Sequence, residues 1–327
     1  MTQQPLAGHV AVVAGATRGA GRGIARGLGE AGAIVYCTGH SVRGQPSPYN
    51  RPETIEETAE MVTAAGGTGV AVRVDHTNEG EVEALFERVK RERKRLDILV
   101  NSIAGEDKSL GGWGASFWKM DMANADLALR QSLLSHLITA KHAAALMVPK
   151  KRGLIVEVTE SDMLFGGGNL LSGLVKSSLK GLVAMMAEEM RKHKVAAIAI
   201  TPGFLRSESM LQHFGVTEAN WQDAAQKDPN FLHSETPLFI GRAVAALAAA
   251  PDLLARSGDL TSSWEVAREF GFTDVDGRAV DWGKQWQKLS GEPAFAWLRE
   301  GMERHVAFLD RVARRTEGYL PSKTAHA

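Results

Sequence analysis

The sequence predicts an α/β fold, a doubly wound parallel sheet with helices on both faces (a Rossmann fold), in a single domain with a C-terminal extension. Three observations point there. Short apolar, β-branched runs alternate with helical-periodic segments six or seven times along the chain. A glycine cluster, Gly15, Gly19 and Gly21, falls between the first such run and the first helical segment. The 327 residues are 44% hydrophobic, enough to bury one large core.

Composition narrows the partners. The 38 basic and 38 acidic residues balance to a net charge of +0, so nothing favours a nucleic acid. The one cysteine, Cys37, excludes an intrachain disulfide framework and suits a reducing compartment. No window holds eighteen consecutive apolar residues, and 1–8 do not read as a charged region leading into an apolar one. A cytoplasmic protein with no membrane partner and no metal site is expected.

The first strand covers 9–13. Ile24, Leu28 and Ala31 follow at helical spacing, so a helix starts near Ala20. Glycines at this turn let the backbone fold tightly and let a pyrophosphate approach the free N–H groups of the helix start. In a βαβ run such a turn reads as dinucleotide binding, with Gly15, Thr17, Arg18, Gly19, Ala20 and Gly21 as candidate contacts. The second strand, 33–37, is followed by Thr38-Gly39-His40-Ser41-Val42-Arg43, with no acid to take the adenosine ribose hydroxyls. Arg18, His40, Ser41 and Arg43 suit a 2′-phosphate instead, which favours NADP.

The rest alternates in the same way. A helix over 53–65 ends at Gly66-Gly67, and the third strand, 70–74, closes with Asp75-His76. A helix over 79–93 leads to the fourth strand, 96–101. An aromatic-bearing stretch, 106–121, holds Trp113, Phe117 and Trp118, which either wall a pocket or pack on a neighbouring helix. A long helix over 123–147 precedes the fifth strand, 153–158, and a helix over 172–192 precedes the sixth, 195–200. A helix over 239–250, a last strand over 258–261 and a final helix over 293–315 complete the chain. The expected division is 1–262 for the dinucleotide-binding and catalytic domain and 263–327 for the extension, packing on that domain or on a subunit interface.

The spacing Gly-x-x-x-Gly-x-Gly resembles the first turn of the short-chain dehydrogenase/reductase family, with Ala14 where that family usually has threonine. The resemblance covers about 6–262. It implies that Asp75, with His76 beside it, meets the adenine. Asn101 and Ser102 then stand for the family's Asn-Asn-Ala-Gly under the cofactor, with the glycine one place late. Pro202, Gly203, Phe204 and Ser207 match the segment that passes the nicotinamide amide. Ser207-Glu208, Ser234-Glu235-Thr236-Pro237 and the long tail resemble one branch of the family. The partners implied are a small carbonyl or alcohol substrate and a second copy of the chain. Dimers or tetramers would pair through the helices over 123–147 and 172–192, using Ala140, Ala143, Ala144, Ala184, Met185 and Met186.

The catalytic residues match only in part. The family uses a tyrosine as proton donor, a lysine four residues later, a serine and an asparagine. Lys176 matches the lysine, but Ser172 stands at the tyrosine position, and none of Tyr36, Tyr49 and Tyr319 fits the frame. A serine hydroxyl is far less acidic than a phenol, whose pKa is about 10. Near the family's serine stand Thr159, Glu160 and Ser161. Thr159 or Ser161 could orient an oxygen, while Glu160 or Asp162 could serve as an acid if burial raised its pKa. The asparagine position falls near Arg130 or Gln131, and His136 beyond it reads as a core or surface histidine. Three readings follow: an NADP-dependent oxidoreductase with a rearranged donor or a water in place of the ring; a cofactor-binding protein with little turnover; or a non-redox protein on the same scaffold.

Overall fold

Along the first strand, β1 (Val10–Ala14), successive side chains point to opposite faces. Val10 and Val12 enter one core, Ala11 and Val13 the other. The computed structural model describes residues 4–45, 50–104, 116–160 and 169–317. Within them β2 (Ile34–Gly39), β3 (Thr68–Arg73), β4 (Ile98–Asn101), β5 (Gly153–Val158), β6 (Val195–Thr201) and β7 (Leu260–Ser262) join β1 in one sheet. Its order is β3-β2-β1-β4-β5-β6-β7, and every pair is parallel. The expected doubly wound fold is observed. The order reverses between β1 and β4, and a crevice opens there at the carboxyl ends of the strands.

Helices cover both faces. On one lie α1 (Gly19–Glu30), α2 (Ile55–Ala64) and α8 (Pro237–Ala249), contributing Ile24, Leu28, Val62, Ile240 and Val244 to the first core. On the other lie α3 (Glu79–Arg93), α5 (Ser135–Met147) and α6 (Leu170–Met190), contributing Val82, Phe86, Ala143, Val183 and Ala187. The α1/α8 crossing is close enough that a Cβ on Gly27 would lie 2.4 Å from the Gly241 carbonyl carbon. Helix α2 starts at a capping box, in which Thr54 accepts from the Glu57 N–H and Glu57 accepts from the Thr54 N–H. The stretch Leu170–His193 is long and apolar enough to cross a membrane by composition, yet its Leu171, Val175, Leu179 and Val183 are buried as in a core helix.

The expected single helix over 123–147 is interrupted. It runs as α4 (Met122–Leu129), a π-helical turn over Arg130–Leu134, and α5. A π turn inserts a residue, so Arg130 and Gln131 are displaced from the regular ladder. Phe117 and Trp118 are exposed, and Trp113 lies outside the described residues.

A short helix, α7 (Glu208–Phe214), follows β6. Beyond β7 come α9 (Ser263–Phe270), α10 (Trp282–Ser290) and α11 (Ala296–Glu317). The chain forms two compact units, Met1–Asp281 and Trp282–Ala327, and α9 belongs to the first. Helix α9 stays with the sheet because Trp264 and Val266 are buried. Asp274 also accepts from the Thr236 N–H at 2.8 Å, which ties the 274 turn to the start of α8.

Candidate active site

The crevice beyond β1 and β4 is a cavity of about 750 Å³. Its floor is the glycine turn. Gly15 has φ +82°, and a Cβ there would lie 2.4 Å from the Ser102 carbonyl oxygen. Only glycine lets the β1–α1 and β4 connections approach so closely. Gly15, Thr17, Arg18, Gly19 and Ala20 line the cavity, while Gly21 sits behind them, packed against the Gly15 carbonyl. The Gly19 N–H, in the first turn of α1, donates to Glu208 Oε2 at 2.8 Å. A carboxylate of the protein thus stands at the anion-seeking start of this helix. The buried glycine turn and the cavity's size fit a dinucleotide, whose pyrophosphate would have to displace Glu208 from the Gly19 N–H.

At the adenosine end, His40, Ser41, Asp75 and His76 all line the cavity. Burial lowers the His40 pKa. His76 is pushed down to about 3 by burial, so it is neutral. Its ring nitrogens contact the Thr38 hydroxyl at 2.8 Å and the Thr139 hydroxyl at 3.0 Å, which fixes the ring between β2 and α5. Asp75 accepts from the Thr77 N–H at 2.9 Å and the Thr77 hydroxyl at 2.7 Å, while Asn78 caps α3. Burial raises the Asp75 pKa, but the bonds from Thr77 outweigh it and leave the group below its ordinary value. Arg43 does not line this cavity but a smaller one beside it, and pairs with Glu60 through two bonds of 3.0 Å.

Behind the floor, Asn101 is fully buried and does not line the cavity. Its Nδ2 donates to Glu157 Oε1 at 2.7 Å and to the His136 carbonyl at 3.2 Å. His136 is buried too, with Nδ1 2.5 Å from Glu157 Oε2 and Nε2 2.8 Å from the Ile103 carbonyl. This group pins the backbone of Ile103, which with Ser102 forms part of the wall. His136 is a core histidine.

At the far end stand Lys176 and Thr159. Lys176 lies on α6, two turns from its Asn169 cap. The Thr159 hydroxyl is buried and has no partner among the described residues. A buried, unsatisfied hydroxyl on a cavity wall is a group waiting for a ligand atom. Ser172 is half-buried in the first turn of α6, where its N–H donates to Asn169 Oδ1 at 2.9 Å, and it is not among the lining residues. Glu160 is exposed, so it lacks the burial that an acid donor requires, while Ser161 and Asp162 lie outside the described residues. Leu127, Arg130 and Gln131 close this end.

The segment after β6 lies along one side. Leu205, Ser207, Glu208 and Ser209 line the cavity, whereas Pro202, Gly203 and Phe204 do not. Phe204 instead meets Phe231 edge-to-face at 5.3 Å, in an aromatic cluster with Phe214 and Trp221. Ser207 caps α7 by accepting from the Met210 N–H at 3.4 Å. Arg206 is 1% exposed and lies over Trp221 at 4.0 Å, with Nε donating to Glu218.

Comparison with known proteins decides the family. A family model described as Enoyl-(Acyl carrier protein) reductase matches residues 15–251. The mouse protein named dehydrogenase/reductase SDR family member 1 is 37% identical over 299 residues, covering 90% of this chain and 92% of its own. The chain belongs to the short-chain dehydrogenase/reductase family. The human protein of the same name is 36% identical over the same shares. This is the branch that Ser207-Glu208 and the Ser234–Pro237 run resemble. Among solved structures, a short-chain type dehydrogenase/reductase from Mycobacterium ulcerans superposes with a TM-score of 0.64 at 20% identity, covering 79% of this chain and 88% of that one. Short-chain dehydrogenase/reductases are oxidoreductases that use NAD or NADP on small molecules.

Arg51, Glu208 and Ser209 are among the lining residues that sequence reasoning missed. Glu208 carried a usable signal, an acid following the Pro-Gly segment at a helix start. Arg51 carried none, since it lies far from any motif.

Proposed function

We propose that the chain is an NADP(H)-dependent reductase or dehydrogenase of small carbonyl and alcohol compounds, using a proton donor other than tyrosine. The observation that carries this reading is the cavity itself. The glycine turn, Arg18, Lys176 and the unpartnered Thr159 hydroxyl all face one space of dinucleotide size. Bound nicotinamide supplies or accepts the hydride. The Thr159 hydroxyl then donates to the oxygen on which negative charge grows during reduction. The Lys176 side chain stabilises that charge and orders a water, in the space that a tyrosine ring would fill, which gives its proton to the oxygen and leaves as hydroxide. Gln131 and Leu127 bound the region left for substrate.

The cofactor preference is tested first. Arg18 lines the cavity with Nε 3.3 Å from Glu53, and no acid follows β2 to bind the ribose hydroxyls. Losing one charge-assisted contact costs about 1.5–3 kcal/mol. Arg18→Ala is therefore expected to weaken NADPH about tenfold or more and to leave NADH nearly unchanged, measured by fluorescence titration. Equal losses for both cofactors reject the assignment. NADPH oxidation with a panel of carbonyl compounds then tests turnover. A second reading, cofactor binding with little turnover, is favoured by Ser172, which stands at the tyrosine position and does not line the cavity.

We also place the chain in the cytoplasm, as a dimer or tetramer. Ala140 and Ala143 are already buried within this chain, so they are not the contacts. Leu134, Leu137, Leu174 and Met185 on the same helices are exposed and form the expected interface. Light scattering at micromolar concentration should return at least twice the chain mass of 35.2 kDa. A monomer rejects the assembly.

A further inference from the structure

The adenosine end of the cavity holds a second arginine that no motif announces. Arg51 lies between β2 and α2 and lines both the dinucleotide cavity and an adjoining cavity of about 400 Å³. That second cavity is walled by the chain that follows β2, Ser41, Val42, Arg43 and Gly44, with Arg43 held by Glu60. A group attached to the adenosine ribose would point there, because the ribose sits beyond the end of β2 in this fold.

Arg51 is held firmly. Its Nε donates to Glu53 Oε2 at 3.0 Å and its Nη2 to Glu53 Oε1 at 2.6 Å. Its Nη1 donates to Gln212 Oε1 on α7 at 2.6 Å. Glu53 is 7% exposed, and its Oε2 also lies 3.3 Å from Arg18 Nε. Burial raises the Glu53 pKa, but the bonds from Arg51 outweigh it and keep the carboxyl below its ordinary value. Glu53 is therefore an anion at neutral pH. Both of its oxygens face guanidinium groups.

That arrangement separates two chemistries. A carboxylate that recognises NAD must offer its oxygens to the ribose hydroxyls. Glu53 is buried, and both of its oxygens are engaged by arginines. What it presents to the cavity is a pair of oriented guanidiniums, with Glu208 the other carboxylate close enough to act on both. Planar guanidinium forks suit phosphate oxygens, and a fork held in place loses less freedom on binding.

We propose that Arg51 is a specificity-determining residue that binds the 2′-phosphate of NADP beside Arg18. The proposal rests on the NADP(H) reading above and names a residue from outside the glycine turn. Its test is the ratio of NADPH to NADH affinity in the full chain, by fluorescence titration. Arg51→Ala should raise the NADPH dissociation constant about 10- to 100-fold and change that for NADH less than twofold. Arg51→Gln keeps an N–H for Glu53 and removes the charge, so it should lose the same selectivity if the alanine variant fails to fold. Adenosine 2′,5′-bisphosphate should compete with NADPH in the wild type and lose most of its potency against Arg51→Gln. A wild-type protein that prefers NADH overturns the NADP(H) reading and this proposal together. A wild type that prefers NADPH, with equal losses or no loss in the Arg51 variants, overturns this proposal alone.

Discussion

Ser172→Tyr is expected to raise the rate of NADPH-dependent carbonyl reduction by about 10²–10⁴-fold, the usual worth of a placed general acid. The local geometry motivates this. Asn169 caps α6 and accepts from the Ser172 N–H at 2.9 Å, so the backbone at 172 is fixed. Lys176 follows one turn later on the same helix and faces the cavity. A phenol introduced at 172 would lie beside that ammonium, which lowers its pKa from about 10 towards the working range. Lys176→Ala in the tyrosine background should remove most of the gain. Affinity for NADPH should change little with Ser172→Tyr alone, because the glycine turn and the adenosine end are untouched. No described tyrosine can serve instead. Tyr36 is buried in β2, where its hydroxyl donates to Glu92 at 2.6 Å, and burial raises its pKa. An unchanged or lower rate, with cofactor still bound, would mean that the site has been rebuilt around other groups. Thr159, Glu160 and Ser161 would then be replaced one at a time.

The parts of the molecule legible in the sequence are those set by local pattern. The alternation in β1, with Val10 and Val12 on one face and Ala11 and Val13 on the other, is a period-two signal that a strand must obey. The glycine turn is legible because only glycine tolerates the approach of Ser102 to Gly15. The π turn at Arg130–Leu134 left no trace, since its residues have helical propensity in either ladder. The Arg51–Glu53–Arg18 group was invisible for another reason. It joins residues from two connections, and ion pairs of that kind follow from the folded path and not from spacing. Asn101 shows the limit of a resemblance. Its place at the end of β4 is legible, but its side chain turns inward to Glu157 and His136. Trp221 lies against two guanidiniums, at 4.0 Å from Arg206 and 4.7 Å from Arg278. Nothing in a list of tryptophans would have paired it with arginines so far apart in sequence.

The second large effect concerns Glu235 and the pH dependence of stability. Glu235 is fully buried. Its Oε2 accepts from the Gly203 N–H at 2.9 Å and from the Ser263 hydroxyl at 2.6 Å, so it ties the segment after β6 to the start of α9. Its Oε1 is buried with no partner among the described residues. Burial pushes the carboxyl up to about 8 from an ordinary 4.5, against the pull of its two donors. The folded chain therefore keeps a proton that the unfolded chain has released between these values. Glu235 stabilises fully below about 4.5, and its contribution is lost as pH rises through about 8. The ceiling on that loss is roughly 5 kcal/mol. His76 acts in the opposite sense at lower pH. Its pKa falls from an ordinary 6.5 to about 3, so its contribution is present above 6.5 and is lost as the pH drops. Between about pH 6.5 and 8, the fall in stability with rising pH should come chiefly from Glu235. Glu235→Gln keeps an oxygen for the Gly203 N–H and removes the charge. In urea denaturation it should unfold later than the wild type at pH 8, with the difference shrinking towards pH 5. Parallel pH profiles for the two proteins would show that Glu235 does not titrate across this range, and that its unpartnered oxygen is satisfied in solution by water.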